Sequence, residues 1–97
     1  MDAGTNTVNA LRLDGNAAAG LLGEVFARDV TSARSTCNGC GAVERVGALH
    51  LYALEMGAVL RCPGCESVVL RVTRTTTDFW LDASGARSIA IPIPAVT

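Results

Sequence analysis

The apolar positions of this chain fall into one helical stretch followed by a series of short alternating ones. Ala18, Leu21, Leu22, Val25 and Phe26 recur at i, i+3, i+4, i+7 and i+8, which is one face of a helix, and Asp14 ahead of them has N-cap chemistry. The spacing predicts a helix over about 15–28, with Leu13 stapled onto Ala18 across the cap. Gly20 and Gly23 each weaken that helix by up to about 1 kcal/mol relative to alanine. With Ala27 they leave a thin flank where another backbone can approach. Residues 1–10 are small and mostly polar without periodicity, so 1–12 reads as a flexible N-terminus.

From Val30 onward the period drops to two. Residues 30–36 carry β-formers and turn formers, residues 42–46 and 48–54 alternate about a break at Gly47, and Glu55-Met-Gly57 turns the chain. Strands are then expected over 58–61 and 67–73. Thr75-Thr-Thr77 is a polar break before Phe79-Trp80-Leu81. Asp82-Ala-Ser-Gly85 has hairpin-turn chemistry with Gly85 placed for a left-handed residue, so 87–91 should return beside 78–82 as a C-terminal β-hairpin. Phe79 and Trp80 are neighbours and therefore face opposite sides of a strand, one toward the core and the other available as a contact. Pro92 and Pro94 lack backbone donors, which makes 92–97 an extended tail.

Between these strands lie all four cysteines, as Cys37-Asn-Gly-Cys40 and Cys62-Pro-Gly-Cys65 with twenty-one residues between the two brackets. Two C-x-x-C turns a hairpin's length apart aim four sulfurs at one point, which points to a single tetrahedral metal site with Cys37, Cys40, Cys62 and Cys65 as ligands. Gly39 and Gly64 are expected to supply positive φ and open backbone N–H groups, Gly41 extends the first turn, and Pro63 presets its own φ. Four cysteines leave no open position for water or substrate, so a bound Zn²⁺, one per chain, would be structural. Four thiolates and one Zn²⁺ would take the formal net charge of −1 to about −3, and Arg34 and Arg61 are near enough in sequence to balance it. Three rivals stand beside zinc. They are a pair of disulfides, a thioredoxin-type redox bracket, and iron held as in rubredoxins. A strand pattern after Cys65 argues against the second, and the single Trp, single Tyr and two Phe give little of the aromatic core of the third.

Size and charge narrow the function classes. Ninety-seven residues make one domain, over 13–91, and a chain this short gains much from a metal staple. Eight basic residues, all arginine, against nine acidic ones and a pI near 5.7 argue against a nucleic-acid binder with a wholly positive surface. A local platform of Arg45, Arg61, Arg71 and Arg74 with Tyr52 or Trp80 is the alternative to ordinary solvated strands. The mean hydropathy of +0.35 is high, but no run of eighteen apolar residues occurs. With Asp2 ahead of any base and reduced cysteines, a cytoplasmic location is expected. His50, the one histidine, sits in an alternating strand and reads as a boundary residue. Glu24, Asp29, Glu44, Glu55 and Glu66 are scattered, and no nucleophile, base and acid set or phosphate loop accompanies them, so no enzymatic activity is expected.

Leu13-Asp-Gly-Asn-Ala-Ala-Ala-Gly-Leu-Leu22, Cys37-x-x-Cys40-Gly41, Val59-Leu-Arg-Cys-Pro-Gly-Cys65 and Trp80-Leu-Asp82 together resemble a family of small uncharacterised bacterial zinc-ribbon proteins. The resemblance runs from Leu13 to about Ile91. It implies four cysteine ligands, at Cys37, Cys40, Cys62 and Cys65, no established activity, and partners among flavin- and molybdopterin-dependent oxidoreductases. The expectation is therefore an α+β protein, an N-terminal helix packed on an antiparallel zinc ribbon with a C-terminal β-hairpin. Its expected role is binding another protein, with a nucleic-acid-binding ribbon or an iron electron carrier as alternatives.

Overall fold

Period-two alternation becomes eight short strands. The computed structural model describes residues 12–93. The strands are β1 (Arg12–Asp14), β2 (Arg34–Cys37), β3 (Val43–Arg45), β4 (His50–Leu54), β5 (Gly57–Arg61), β6 (Val68–Arg74), β7 (Phe79–Asp82) and β8 (Ala86–Ala90). They form two antiparallel sheets, one of five strands in the order β1-β4-β5-β6-β7 and one of three in the order β3-β2-β8. Each cysteine bracket closes a hairpin, the first between β2 and β3 and the second between β5 and β6.

The helix is shorter than the 15–28 that its apolar period predicts. A 3-10 turn occupies Gly15–Ala18, and the α-helix proper, α1, runs Ala19–Phe26. Gly15 explains the tightened start, because a Cβ there would land on the Val46 carbonyl and the turn lies hard against that backbone. At the other end Ala27 takes φ 60°, a left-handed stop normally given to glycine. Asp14 caps as expected, its Oδ1 accepting from Asn16 N at 3.1 Å. Leu13, in contrast, is no staple. It lies in β1 opposite Leu51 and is 44 % exposed. Arg12 pairs with Tyr52 in β1; of the expected flexible N-terminus 1–12, residues 1–11 lie outside the described residues, as do 94–97 of the tail.

Leu22 of α1 is fully buried with Leu49, Leu60, Leu70, Val30, Val46, Val69 and Val72, while Leu21, Val25 and Phe26 pack around them. Cys37 and Cys62 belong to the same cluster, so the group of four cysteines is continuous with the core.

The C-terminal β-hairpin is not formed. β7 pairs with β6, Trp80 opposite Thr73, whereas β8 pairs with β2, Ile89 opposite Ser35. The Asp82–Gly85 segment is a bend that carries the chain from one sheet to the other. Asp82 Oδ1 accepts from Ser84 N (2.9 Å) and Ser84 Oγ (2.6 Å), and Ala86 N donates to Ala83 O. Gly85 is not a left-handed residue; it is needed because a Cβ would strike the Val68 carbonyl. The turn that returns β7 along β6 is the threonine stretch, with Thr75 N donating to Asp78 O and Asp78 N to Thr75 Oγ1. β7 ends up on the sheet edge, where Phe79, Trp80 and Leu81 are 37, 65 and 42 % exposed, so neither aromatic neighbour is a core residue.

Candidate metal centre

Both brackets are built by one backbone device. Cys37 N donates to Ala42 O and Gly41 N to Cys37 O; five and four residues on from the first cysteine, Cys62 N donates to Ser67 O and Glu66 N to Cys62 O. In each case the residue after the second cysteine is left-handed, Gly41 at φ 79° and Glu66 at φ 65°. Positive φ therefore falls one residue beyond the brackets, and Gly39 and Gly64 do not carry it. Gly39 has another reason: a Cβ there would sit 2.8 Å from Ser67 Oγ and 3.5 Å from Cys65 Sγ, so its smallness lets the brackets close on each other. A register shift precedes the first cysteine in both places, between Thr36 and Cys37 and between Leu60 and Arg61. Such irregularities re-aim a side chain, here toward the shared centre.

The four sulfurs lie within 4.8 Å of one another. Cys37 Sγ is 3.6 Å from Cys65 Sγ, and Cys40 Sγ is 3.7 Å from Cys62 Sγ. A tetrahedral ion with metal–sulfur bonds of about 2.3 Å places its sulfurs about 3.8 Å apart, so the donor set fits such an ion. All four cysteines are free, which sets aside the disulfide alternative. Cys37 and Cys62 are buried, Cys40 and Cys65 exposed, and each close pair joins one of each kind.

The electrostatics call for a cation. Gly39 N donates to Cys37 Sγ at 3.3 Å, and Ser67 Oγ lies 3.2 Å from Cys65 Sγ. The Ser67 hydroxyl, then its backbone N–H, lower the Cys65 thiol to about 6. Cys40 has the Ala42 backbone N–H in favour of its thiolate, yet crowding by Cys62 and Cys65 pushes it up to about 11. Four thiolates this close repel, and a bound cation removes the conflict while releasing the remaining protons.

Of the basic residues expected near the thiolates, Arg61 is brought in, its NH1 donating to Glu66 O at 2.8 Å, one residue past Cys65. Arg34 stands at the far end of β2, opposite Arg45. His50 is half-buried and its Nδ1 lies 3.1 Å from Glu66 Oε2; Tyr52 OH donates to Glu66 Oε1 at 3.4 Å. The four arginines of the possible nucleic-acid platform are only partly brought together: Arg61 and Arg71 share one face of the five-stranded sheet with Tyr52 and Trp80, and Arg74 and Arg45 do not. Arg61 lies over Tyr52, Arg71 faces Asp82, Arg74 contacts Glu24 and Phe79, and Arg45 is in the other sheet. Sequence reasoning missed Ser67 and the αL role of Glu66. Both stand at the offsets that Ala42 and Gly41 hold after Cys40, so aligning the brackets on each other is the signal that finds them. It also missed the cover from the C-terminal bend, where Asn38 N donates to Gly85 O and Cys37 pairs with Ala86.

A profile described as a family of unknown function, DUF6510, matches residues 6–94. No curated protein and no solved structure matches the chain.

Proposed function

We propose, for a chain that belongs to this family of unknown function, that Cys37, Cys40, Cys62 and Cys65 hold one Zn²⁺ as a structural ion in a zinc-ribbon fold, and that the protein works by binding another protein. The observation that carries the first part is convergence of four sulfurs from two equivalent brackets, with every tetrahedral position taken by cysteine. A site filled in that way supplies folding energy and no open position for a reacting group, so the chain performs no catalysis of its own. The second part is supported by β7, whose large apolar side chains are exposed together on a sheet edge. An oxidoreductase is the partner class that the sequence resemblance implies.

Metal analysis of protein purified without added metal, taken with its visible spectrum, tests the first part. One zinc per chain and no colour is the expected result. One iron per chain with a charge-transfer band makes the protein an electron carrier instead. The second part fails if the folded protein captures nothing from a lysate of its own cells. Binding to DNA or RNA ranks second: Arg61 and Arg71 share a sheet face with Tyr52 and Trp80, but Arg71 stands opposite Asp82, Arg74 is paired with Glu24 and acidic residues outnumber basic ones by nine to eight, and retention of either nucleic acid at low ionic strength would reverse that ranking.

A further inference from the structure

We infer that the free edge of β7 pairs with the β7 edge of a second copy of this chain, joining two five-stranded sheets into one through a twofold axis at Trp80. The inference rests on the reading of the chain as an interaction module and names one partner for it.

Arg74 N donates to Met56 O, so Arg74 turns its peptide groups toward β5, and Thr73 turns its own toward β7. In an antiparallel ladder these directions alternate. Trp80 and Asp82, opposite Thr73 and Arg71, therefore bond to β6, and Phe79 and Leu81 present their N–H and C=O groups outward. Nothing among the described residues pairs with that edge.

An antiparallel second copy centred on Trp80 satisfies all of these groups. Phe79 pairs with Leu81 of the other copy and Leu81 with its Phe79, exchanging four hydrogen bonds. Trp80 then faces its own equivalent in a non-hydrogen-bonded pair, the arrangement that brings cross-strand side chains closest. Phe79 and Leu81 share the face that carries Val72, so both apolar faces of the strand are continued across the axis.

The other edges lack this character. β1 is mostly charged over its described residues, β3 is three residues long and mostly charged, and β8 runs into Pro92. The three exposed side chains of β7 offer on the order of 300 Å² of apolar surface per copy, well below what a permanent dimer buries. The association is accordingly a weak, reversible one. Its ends place Asp78 opposite Asp82 of the other copy, a repulsion that salt screens.

Sedimentation equilibrium of the metal-loaded protein from low concentration to about 100 µM tests this. The wild type is expected to dimerise with a micromolar dissociation constant that tightens with added salt, and its single-tryptophan emission should shift to the blue with rising mass. Trp80→Arg should weaken the dimer by about tenfold or more while keeping one metal per chain, the sign that the 65 %-exposed site tolerates the change. Trp80→Phe should retain it. A wild type that stays monomeric at the top concentration overturns the inference and leaves the edge for a strand of another protein, which the lysate experiment addresses separately. A dimer unaffected by Trp80→Arg, or weakened by salt, overturns it as well.

Discussion

Ser67 and Glu66 do for the second bracket what Ala42 and Gly41 do for the first, but with side chains that add chemistry. The Ser67 hydroxyl stabilises the Cys65 thiolate, so Ser67→Ala should lower metal affinity by about tenfold, measured by competition with a chromogenic chelator. Glu66 holds a left-handed conformation that costs a non-glycine residue of order 1 kcal/mol, and its carboxylate is held by His50 and Tyr52. Asp82 carries a pH signature. The Ser84 hydroxyl, then the Ser84 N–H, then the Arg71 charge hold its carboxyl below the ordinary carboxylate value. A depressed folded pKa means stability that is fully present above the unfolded pKa near 3.9 and lost as pH falls through the lower folded value. Asp82→Asn should therefore flatten the loss of stability on acidification below about pH 4, read from denaturant midpoints across that range. Thr31 N–H and its hydroxyl lower Asp29 in the same sense, so its replacement flattens the same limb.

At the scale of elements, packing and close approach decide what periodicity leaves open. Leu22 is the one fully buried side chain of α1, and Leu22→Ala should cost about 2–5 kcal/mol in chemical denaturation, since the helix has little propensity of its own with Gly20 and Gly23 inside it. Gly85→Ala should destabilise by at least about 1–3 kcal/mol, because the backbone of Val68 has no room to yield. Much of this level is legible in the sequence. The apolar face of the helix, the strands flanking each bracket and the turn at Glu55-Met56-Gly57 all follow from local spacing and turn chemistry. The C-terminal pairing is not legible, for a physical reason. Asp82-Ala-Ser-Gly85 has the composition of a hairpin turn, and only the non-local approach of Gly85 to Val68 and of Ala86 to Cys37 sends β8 to the other sheet. The position of the left-handed residues escapes for a similar reason. Glycine at Gly39 and Gly64 suggests positive φ, whereas the ladder of each bracket demands it one residue past the second cysteine, whatever residue stands there.

For the whole molecule, the cysteines that hold the proposed zinc also tie the two sheets together. The first bracket belongs to the three-stranded sheet and the second to the five-stranded one, and Cys37 and Cys62 are members of the common core. Structural zinc is worth on the order of 10 kcal/mol, comparable with the total stability of a domain this size. Removal of the ion by a strong chelator should therefore collapse the β-sheet circular dichroism in one transition, restored when zinc is returned. Tryptophan fluorescence at low concentration should barely register that event, because Trp80 is already 65 % exposed in the folded chain. The convergence of all four cysteines is legible from C-x-x-C spacing alone; their division between two sheets is not, because spacing says nothing of which strand lies beside which. Among the described residues no helix is long and apolar enough to cross a membrane.

The path of the chain over the four cysteines also sets an order of events during synthesis. Cys37, Cys40, Cys62 and Cys65 are all translated before β7, the bend at Gly85 and β8, the segment that closes over Cys37 and Asn38. A growing chain thus presents all four cysteines while they are still uncovered, so the proposed zinc would be free to load before β8 is made. Once β8 has docked, Cys37 and Cys62 are buried and Cys40 and Cys65 stay exposed, so exchange of the proposed zinc with free metal should be slower than its capture by the nascent chain.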